Sequence, residues 1–157
     1  MSSSKAGESS RRSSRKRGQA VVEFALVFPI FMLVLAGIFD FGFALYSRMT
    51  VINAAREGAR AAAMVSDPST ASTVASNAAT TAAQQAGLTP SSVVTACLQT
   101  SVSPTSPATI PCAGAVMGDS VVVTVHSTYH TFFPLLFGAT FDLSSTVQMV
   151  LDSAGSG

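Results

Sequence analysis

The apolar residues of this chain are concentrated in one long run near its N-terminus. Residues 24–39 carry no charge, and the run extends from Val21 to Leu45 with Glu23 and Asp40 as its only ionisable interruptions. About 20 apolar residues are enough for a helix to cross the roughly 30 Å hydrocarbon core of a bilayer. The pattern therefore predicts one membrane-spanning helix.

The helical pattern does not stop where the apolar run ends. Helix-forming residues continue as far as Asp67-Pro68, a pair that ends one helix or begins another. We therefore predict a single helix over residues 19–65, with about half of it in the membrane. A secretory signal peptide is the alternative. It would show a short apolar region followed by a small-residue cleavage site, whereas here the helical pattern runs on.

A stripe of small residues marks the outer half of this predicted helix. Ala54, Gly58 and Ala62 are spaced at i, i+4 and i+8, and small residues at this spacing let another backbone approach closely. The alternative is that alanine is simply a good helix former. Gly58 favours close packing, because glycine costs about 1 kcal/mol relative to alanine inside a helix.

The rest of the chain predicts a short helix followed by strands. A helix rich in Ala, Ser and Thr is expected to begin at Pro68 and to end at Gly87. Beyond it, residues 93–100, 120–133 and 141–152 are rich in Val, Thr, Phe and Tyr, which favours strands. The predicted apolar face of the middle strand consists of Val121, Val123, Val125 and Tyr129.

These elements predict an α+β protein. A long N-terminal transmembrane helix extends into a small extracytoplasmic domain with a short helix and a roughly three-stranded antiparallel sheet. Such a sheet needs a helix to cover its apolar face, and the outer half of the long helix is available for this. The predicted divisions are a basic disordered leader at 1–18, the transmembrane helix and its extension at 19–65, the extracytoplasmic domain at 66–152 and a tail at 153–157.

Charge is distributed very unevenly along the chain. Residues 1–17 carry six Lys and Arg against Glu8, whereas Arg48 is the one basic residue close to the other end of the apolar run. The positive-inside rule therefore predicts a cytoplasmic N-terminus and an extracytoplasmic C-terminal domain. A nucleic-acid-binding tail is the alternative for such a basic block. Because no aromatic residue is interleaved among the basic ones, no nucleic-acid partner is predicted.

The two cysteines, Cys97 and Cys112, both fall in the predicted extracytoplasmic domain. An even pair of cysteines in an oxidising compartment is more often bridged than free. We therefore predict a disulfide between them, with two buried free thiols as the alternative.

No pattern in the sequence indicates catalysis or a cofactor. There is no nucleophile–base pair, phosphate-binding loop or paired carboxylates, and only 11% of the residues are charged. His126 and His130 share one face of a predicted strand, but structural zinc usually takes four ligands and no third candidate lies near. The chain is therefore predicted not to be an enzyme and to hold neither a metal nor a cofactor.

The start of the apolar run resembles a known processing site. After the basic leader, Gly18 is followed by Gln19-Ala20-Val21-Val22-Glu23-Phe24, which is similar to the prepilin cleavage site of type IV pilin-like proteins. In that pattern a prepilin peptidase cuts after the glycine, and a glutamate stands at the fifth mature position. The resemblance therefore implies processing between Gly18 and Gln19.

The continuation of the helix resembles the TadE-like minor pilins, or pseudopilins, of the tight-adherence secretion system. Their pattern is an apolar run, then G-x-x-[DE]-F-G, then N-A-A-R-E-G-A-R. The matching residues here are Gly37, Asp40, Phe41, Gly42, Asn53, Ala54, Ala55, Arg56, Glu57, Gly58, Ala59 and Arg60. For helix packing or partner docking the sequence singles out Ala54, Arg56, Glu57, Gly58, Arg60 and Ala62.

The resemblance also gives Glu23 a role. A carboxylate inside hydrocarbon is costly, and cleavage after Gly18 would create an ammonium on Gln19, four residues earlier. In the family, such a carboxylate commonly pairs with the ammonium of a neighbouring subunit, which implies a subunit-pairing role. The alternative is that Glu23 lies close enough to the cytoplasmic interface to stay hydrated.

Together these features predict a single-pass protein of the cell (inner) membrane that acts as a minor pilin or assembly factor of a tight-adherence pilus. Its expected partners are the lipid bilayer, a prepilin peptidase, other pilin or pseudopilin subunits and the pilus assembly platform. The alternative is a membrane-anchored extracytoplasmic binding or sensing domain that never enters a filament.

Overall fold

The computed structural model describes residues 8–100, 105–106, 108–134 and 138–152, with side chains from Gly18 onward. Within these residues two α-helices and four β-strands follow one another. They are α1 (Glu8–Ala63), α2 (Ala71–Gln85), β1 (Ser92–Leu98), β2 (Thr109–Ile110), β3 (Ser120–His130) and β4 (Thr140–Val150). The chain divides into two compact units, residues 1–41 and 42–157.

Helix α1 begins earlier than the sequence predicts. It starts at Glu8 rather than near Gln19, so residues 8–18 of the predicted disordered leader are helical. The reason is that extending an existing helix costs little free energy compared with nucleating a new one. Residues 8–17 also contain neither Gly nor Pro, which would interrupt the helix. Residues 1–7 of that leader, and the predicted tail at 153–157, lie outside the described residues.

The second unit contains a four-stranded antiparallel sheet in the order β2-β1-β3-β4. The pairing of β3 with β4 is the longest, running from Ser120 opposite Val150 to His130 opposite Thr140. Three of the strands were predicted. The fourth, β2, has two residues that pair with Cys97 and Leu98, and so short a segment has no periodicity to detect.

One face of this sheet is buried, as the alternating pattern predicts. In β3 the residues Val121, Val123, Val125 and Tyr129 are buried, whereas His126 and His130 are exposed. The outer part of α1 and helix α2 share one core with the buried face of the sheet. The predicted α+β fold, with the long helix over the sheet, is therefore confirmed.

Recognisable capping residues lie at both ends of α2. Asp67 caps the short 3₁₀ turn that precedes α2, with Pro68 in its first position. Hydrogen bonds from the Ser69 hydroxyl and the Ser69 backbone N–H lower the pKa of this exposed carboxyl below 3.8. At the other end, the N–H groups of Gly87 and Leu88 donate to the carbonyls of Gln84 and Ala83. Gly87 has a φ of 76°, which completes a Schellman motif.

Candidate functional site

The predicted processing position lies within the continuous helix α1. Gly18 and Gln19 are exposed, and a Cβ built on Gly18 would meet nothing within 4 Å. Glycine inside a helix costs about 1 kcal/mol relative to alanine. Packing among the described residues therefore does not require a glycine at this position.

Gln19 and Glu23 lie one helical turn apart and are in contact. The Nε2 of Gln19 donates to the Oε1 of Glu23 at 3.2 Å, and both side chains are exposed. The first turn after Gly18 thus places residue 19 and the carboxylate on the same face of the helix. This satisfies part of the hydrogen-bonding capacity of Glu23 without supplying a positive charge.

The apolar run that follows is uncovered within the first unit. Residues Gly18–Ala63 contain a window with a mean hydropathy of 2.5, and a helix that is apolar all round belongs in a membrane or a core. The large exposed apolar side chains of the run are Val21, Val22, Phe24, Leu26, Val27, Phe28, Ile30, Phe31, Met32, Leu33, Val34, Ile38, Phe39 and Phe41. By length and composition α1 is the one candidate membrane span among the described residues.

The outer part of α1 presents the opposite kind of surface. Ala54, Gly58 and Ala62 are buried, and a Cβ on Gly58 would come within 2.9 Å of both the Ala75 carbonyl oxygen and the Ala79 Cβ. Helix α2 contributes a matching stripe of buried alanines at Ala71, Ala75, Ala79 and Ala83. In the structure, the small residues of α1 thus meet α2 of the same chain.

The three charged residues singled out on this part of α1 are not buried in that contact. Arg56, Glu57 and Arg60 are exposed, and within the described part of the chain none of them forms an ion pair. The intrahelical pair that Glu57 and Arg60 could form at this spacing is therefore not made. All three charges remain accessible to a partner.

Glu57 also lines a groove that the sequence did not reveal. The groove has a volume of about 700 Å³, and α2 and α1 supply its lining, namely Asn53, Glu57, Val74, Asn77, Ala78, Thr81, Ala82 and Gln85. Its polar members on α2, Asn77, Thr81 and Gln85, repeat every four residues. That spacing is the signal that could have indicated a polar stripe, although the stripe alone does not show which helix lies beside it.

The remaining sequence predictions concern the cysteines and histidines. Cys97 and Cys112 form a disulfide with a Cα–Cα distance of 5.0 Å, so the predicted bridge is present. The bridge ties β1 to the short 3₁₀ turn at Cys112–Gly114. Among the described residues no group of three or more His, Cys, Asp and Glu could hold a metal ion.

Comparison with known proteins assigns the N-terminal part of the chain. No curated protein and no solved structure matches the chain. The family model described as TadE-like protein matches residues 18–60. The match begins at the predicted processing position and ends at Arg60, so it covers the apolar run and two of the three small residues of the stripe, Ala54 and Gly58, but not Ala62. It confirms the resemblance drawn from the sequence: residues 18–60 of this chain are a TadE-like segment.

Proposed function

We propose that this chain is a minor pilin or assembly factor of a tight-adherence pilus, anchored through α1 and processed by a prepilin peptidase after Gly18. The observation that carries the proposal is the TadE-like segment at residues 18–60, which associates the chain with the tight-adherence pilus system. Orientation follows the charge asymmetry, with the basic N-terminus in the cytoplasm and the domain of α2 and the sheet outside.

Two features of the first unit support processing and assembly. Gly18 is exposed and has no packing role among the described residues. Recognition by a peptidase would explain why glycine occupies this position. Cleavage would turn the backbone nitrogen of Gln19 into an ammonium one helical turn from Glu23. A charge in hydrocarbon is stabilised when an opposite charge lies near it.

Assembly would bring the two charges together between subunits. The ammonium of one subunit would approach Glu23 of its neighbour, so the burial cost of the carboxylate would be relieved only when subunits pack. The exposed apolar side chains of α1 would supply the remaining contacts, exchanging lipid for neighbouring helices. The accessible Arg56, Glu57 and Arg60 would then select the partner outside the membrane.

The experiment that tests the proposal combines processing with fractionation. A Gly18→Phe variant should remain in the membrane as a longer precursor, whereas the parent chain should be shortened and should fractionate with sheared pili. A Gly42→Ala variant is the matched control, because a Cβ on Gly42 also meets nothing within 4 Å. A parent chain that keeps its full length and never appears with sheared pili would contradict the proposal.

One observation favours the alternative of an anchored binding domain. The groove beside Glu57 is lined by amide and hydroxyl side chains that can both donate and accept hydrogen bonds. A domain that used this groove to bind a ligand would need the anchor but not the pilus. Under this alternative, groove substitutions such as Asn77→Ala would abolish ligand binding and leave the distribution of the protein between membrane and pilus fractions unchanged.

A further inference from the structure

An exposed aromatic cluster lies in the second unit. The rings of Phe43 on α1 and Phe132, just after β3, are tilted against each other with centroids 5.3 Å apart. Phe132 is 65% exposed, Phe43 48% and the adjacent Phe133 43%. We name these three residues the aromatic cluster. Large aromatic side chains left this accessible on a small domain indicate a contact with something else.

The position of Phe43 along the chain suggests what that contact is. A helix rises about 1.5 Å per residue, so about 20 residues cross the roughly 30 Å hydrocarbon core. An apolar run that begins near Val21 therefore leaves the core close to residue 41. Phe43 follows two residues later, and chain connectivity alone places it at the boundary between lipid and water.

The end of β3 is brought to the same level by its contact with Phe43. Because the Phe132 ring lies 5.3 Å from the Phe43 ring, Phe132 must also lie near this boundary. The opposite end of β3, at Ser120, pairs with Val150. It lies ten residues from His130, or about 33 Å along a strand. The aromatic cluster therefore lies at the His130 end of the sheet, and Ser120 and Val150 lie at the other end.

Neighbouring residues on α1 fit the same boundary. Tyr46 is exposed, and its hydroxyl donates to the carbonyl oxygen of Ala86 at the C-terminal end of α2, so its ring is held in place on α1 three residues after Phe43. Arg48 is exposed and forms no ion pair among the described residues. Aromatic side chains and long basic ones are the residues that anchor proteins at membrane–water interfaces.

We propose that the aromatic cluster inserts into the boundary between headgroups and acyl chains of the lipid bilayer. It thereby holds the adjoining end of the sheet at the membrane surface. The occupant is lipid because Phe43 lies on the same helix as the apolar run, and the exposed Arg48 follows five residues later on that helix. The proposal rests on membrane anchoring by α1 and not on the pilus role, so it holds for either candidate function and fails independently of both.

The chain contains no tryptophan, which makes single-tryptophan variants direct reporters of this contact. The full chain would be prepared as Phe132→Trp, Phe133→Trp and, as the matched control, Val150→Trp. Val150 is 56% exposed but lies at the opposite end of the sheet. Each variant would be reconstituted into phosphatidylcholine vesicles with brominated acyl chains, at no more than one copy per vesicle on average, and its circular dichroism compared with that of the parent.

Emission from Phe132→Trp and Phe133→Trp should lose most of its intensity to the brominated lipid, whereas Val150→Trp should keep most of it. Two reporters are used so that a folding defect in one leaves the other. Equal quenching of all three variants, or none, would overturn the proposal. Quenching of the aromatic positions that appears only when many copies share a vesicle would also overturn it, because a second copy would then be the occupant.

Discussion

Helix α1 contains two stretches with opposite surfaces, an exposed inner stretch and a buried outer stretch. Residues 21–41 present large apolar side chains on every side and bury almost none of them within their unit. Residues 51–62 present alanine and glycine, and bury them against α2 and the sheet. The comparison shows where this chain needs partners. The outer stretch already has its partner in the same chain, whereas the inner stretch must obtain one from lipid or from other subunits.

The largest expected effect is on the inner stretch. Glu23→Ala should still insert and should still be cut after Gly18, because neither step needs the carboxylate. It should fail to join assemblies or to support piliation, since the ammonium of a neighbouring Gln19 would lack its counter-charge. Glu23→Asp should be intermediate, because the charge survives but its reach is shorter. Membrane fractionation, N-terminal sequencing and counts of sheared pili would measure the three steps.

The matched control for Glu23 is Gln19→Ala. This change removes the side-chain hydrogen bond at 3.2 Å but leaves the backbone nitrogen that would become the ammonium. It should therefore assemble like the parent. If Gln19→Ala failed as Glu23→Ala does, the side-chain contact and not the ammonium would be the essential partner. If Glu23→Ala assembled normally, the pairing role would be wrong.

The disulfide should have the next largest effect, and the effect should be confined to the second unit. Cys97 and Cys112 are 15 residues apart in sequence, and closing a loop of that size stabilises the fold by about 3 kcal/mol in the chain-entropy model. Reduction should lower the free energy of unfolding of the second unit by about 3 kcal/mol. It should not release the protein from membranes. Denaturant unfolding with and without reductant measures it, and a Cys97→Ala/Cys112→Ala chain that still responded to reductant would contradict the assignment.

Gly58→Ala tests the small-residue contact and should have a smaller effect. The added Cβ would meet the Ala75 carbonyl oxygen and the Ala79 Cβ at 2.9 Å, so α1 and α2 must move apart. Overpacking of this kind costs about 1–3 kcal/mol, and better helix propensity returns about 0.5–1 kcal/mol, so we expect a net loss of up to about 2 kcal/mol. Thermal unfolding of the second unit should occur at a lower temperature than in the parent chain. In Gly42→Ala, which meets no atom within 4 Å, stability should be unchanged or slightly raised.

The sequence could predict the elements of the fold better than the contacts between them. The alternation in β3 correctly separated Val121, Val123 and Val125 from His126, because side-chain direction in a strand follows from local period alone. The spacing of Ala54, Gly58 and Ala62 predicted close packing but could not name α2 as the partner. Complementary stripes on two helices become a contact only through the tertiary arrangement.

The parts of the site that escaped prediction share the same physical cause. The groove and the Phe43–Phe132 contact both join residues far apart in sequence, and no local pattern encodes such a pairing. Phe-Phe-Pro at the end of β3 was visible as an apolar strand end, but it was not distinguishable from an ordinary buried one. The processing role of Gly18 and the pairing role of Glu23 stay predictions drawn from the family resemblance, because neither role depends on the packing of a single chain.

The smallest expected effect concerns Asp67. Its pKa is lowered in the folded chain by the Ser69 hydroxyl and backbone N–H. The capping contribution is therefore fully present above the unfolded value near 3.8 and is lost as the pH falls through the lower folded value. Asp67→Asn should flatten the loss of stability below about pH 3.8 and leave anchoring unchanged. A pH series of thermal unfolding checks this, and an unaltered acid limb would show that the cap does not contribute.

We propose that cleavage after Gly18 removes the basic leader and leaves the inner stretch of α1 to pack against other subunits. The most direct measurement is N-terminal sequencing and intact-mass analysis of the chain recovered from membranes and from sheared pili. We expect a chain that begins at Gln19 in both fractions, with the Cys97–Cys112 disulfide intact. A chain that retains its basic leader in the membrane and is missing from sheared pili would contradict it.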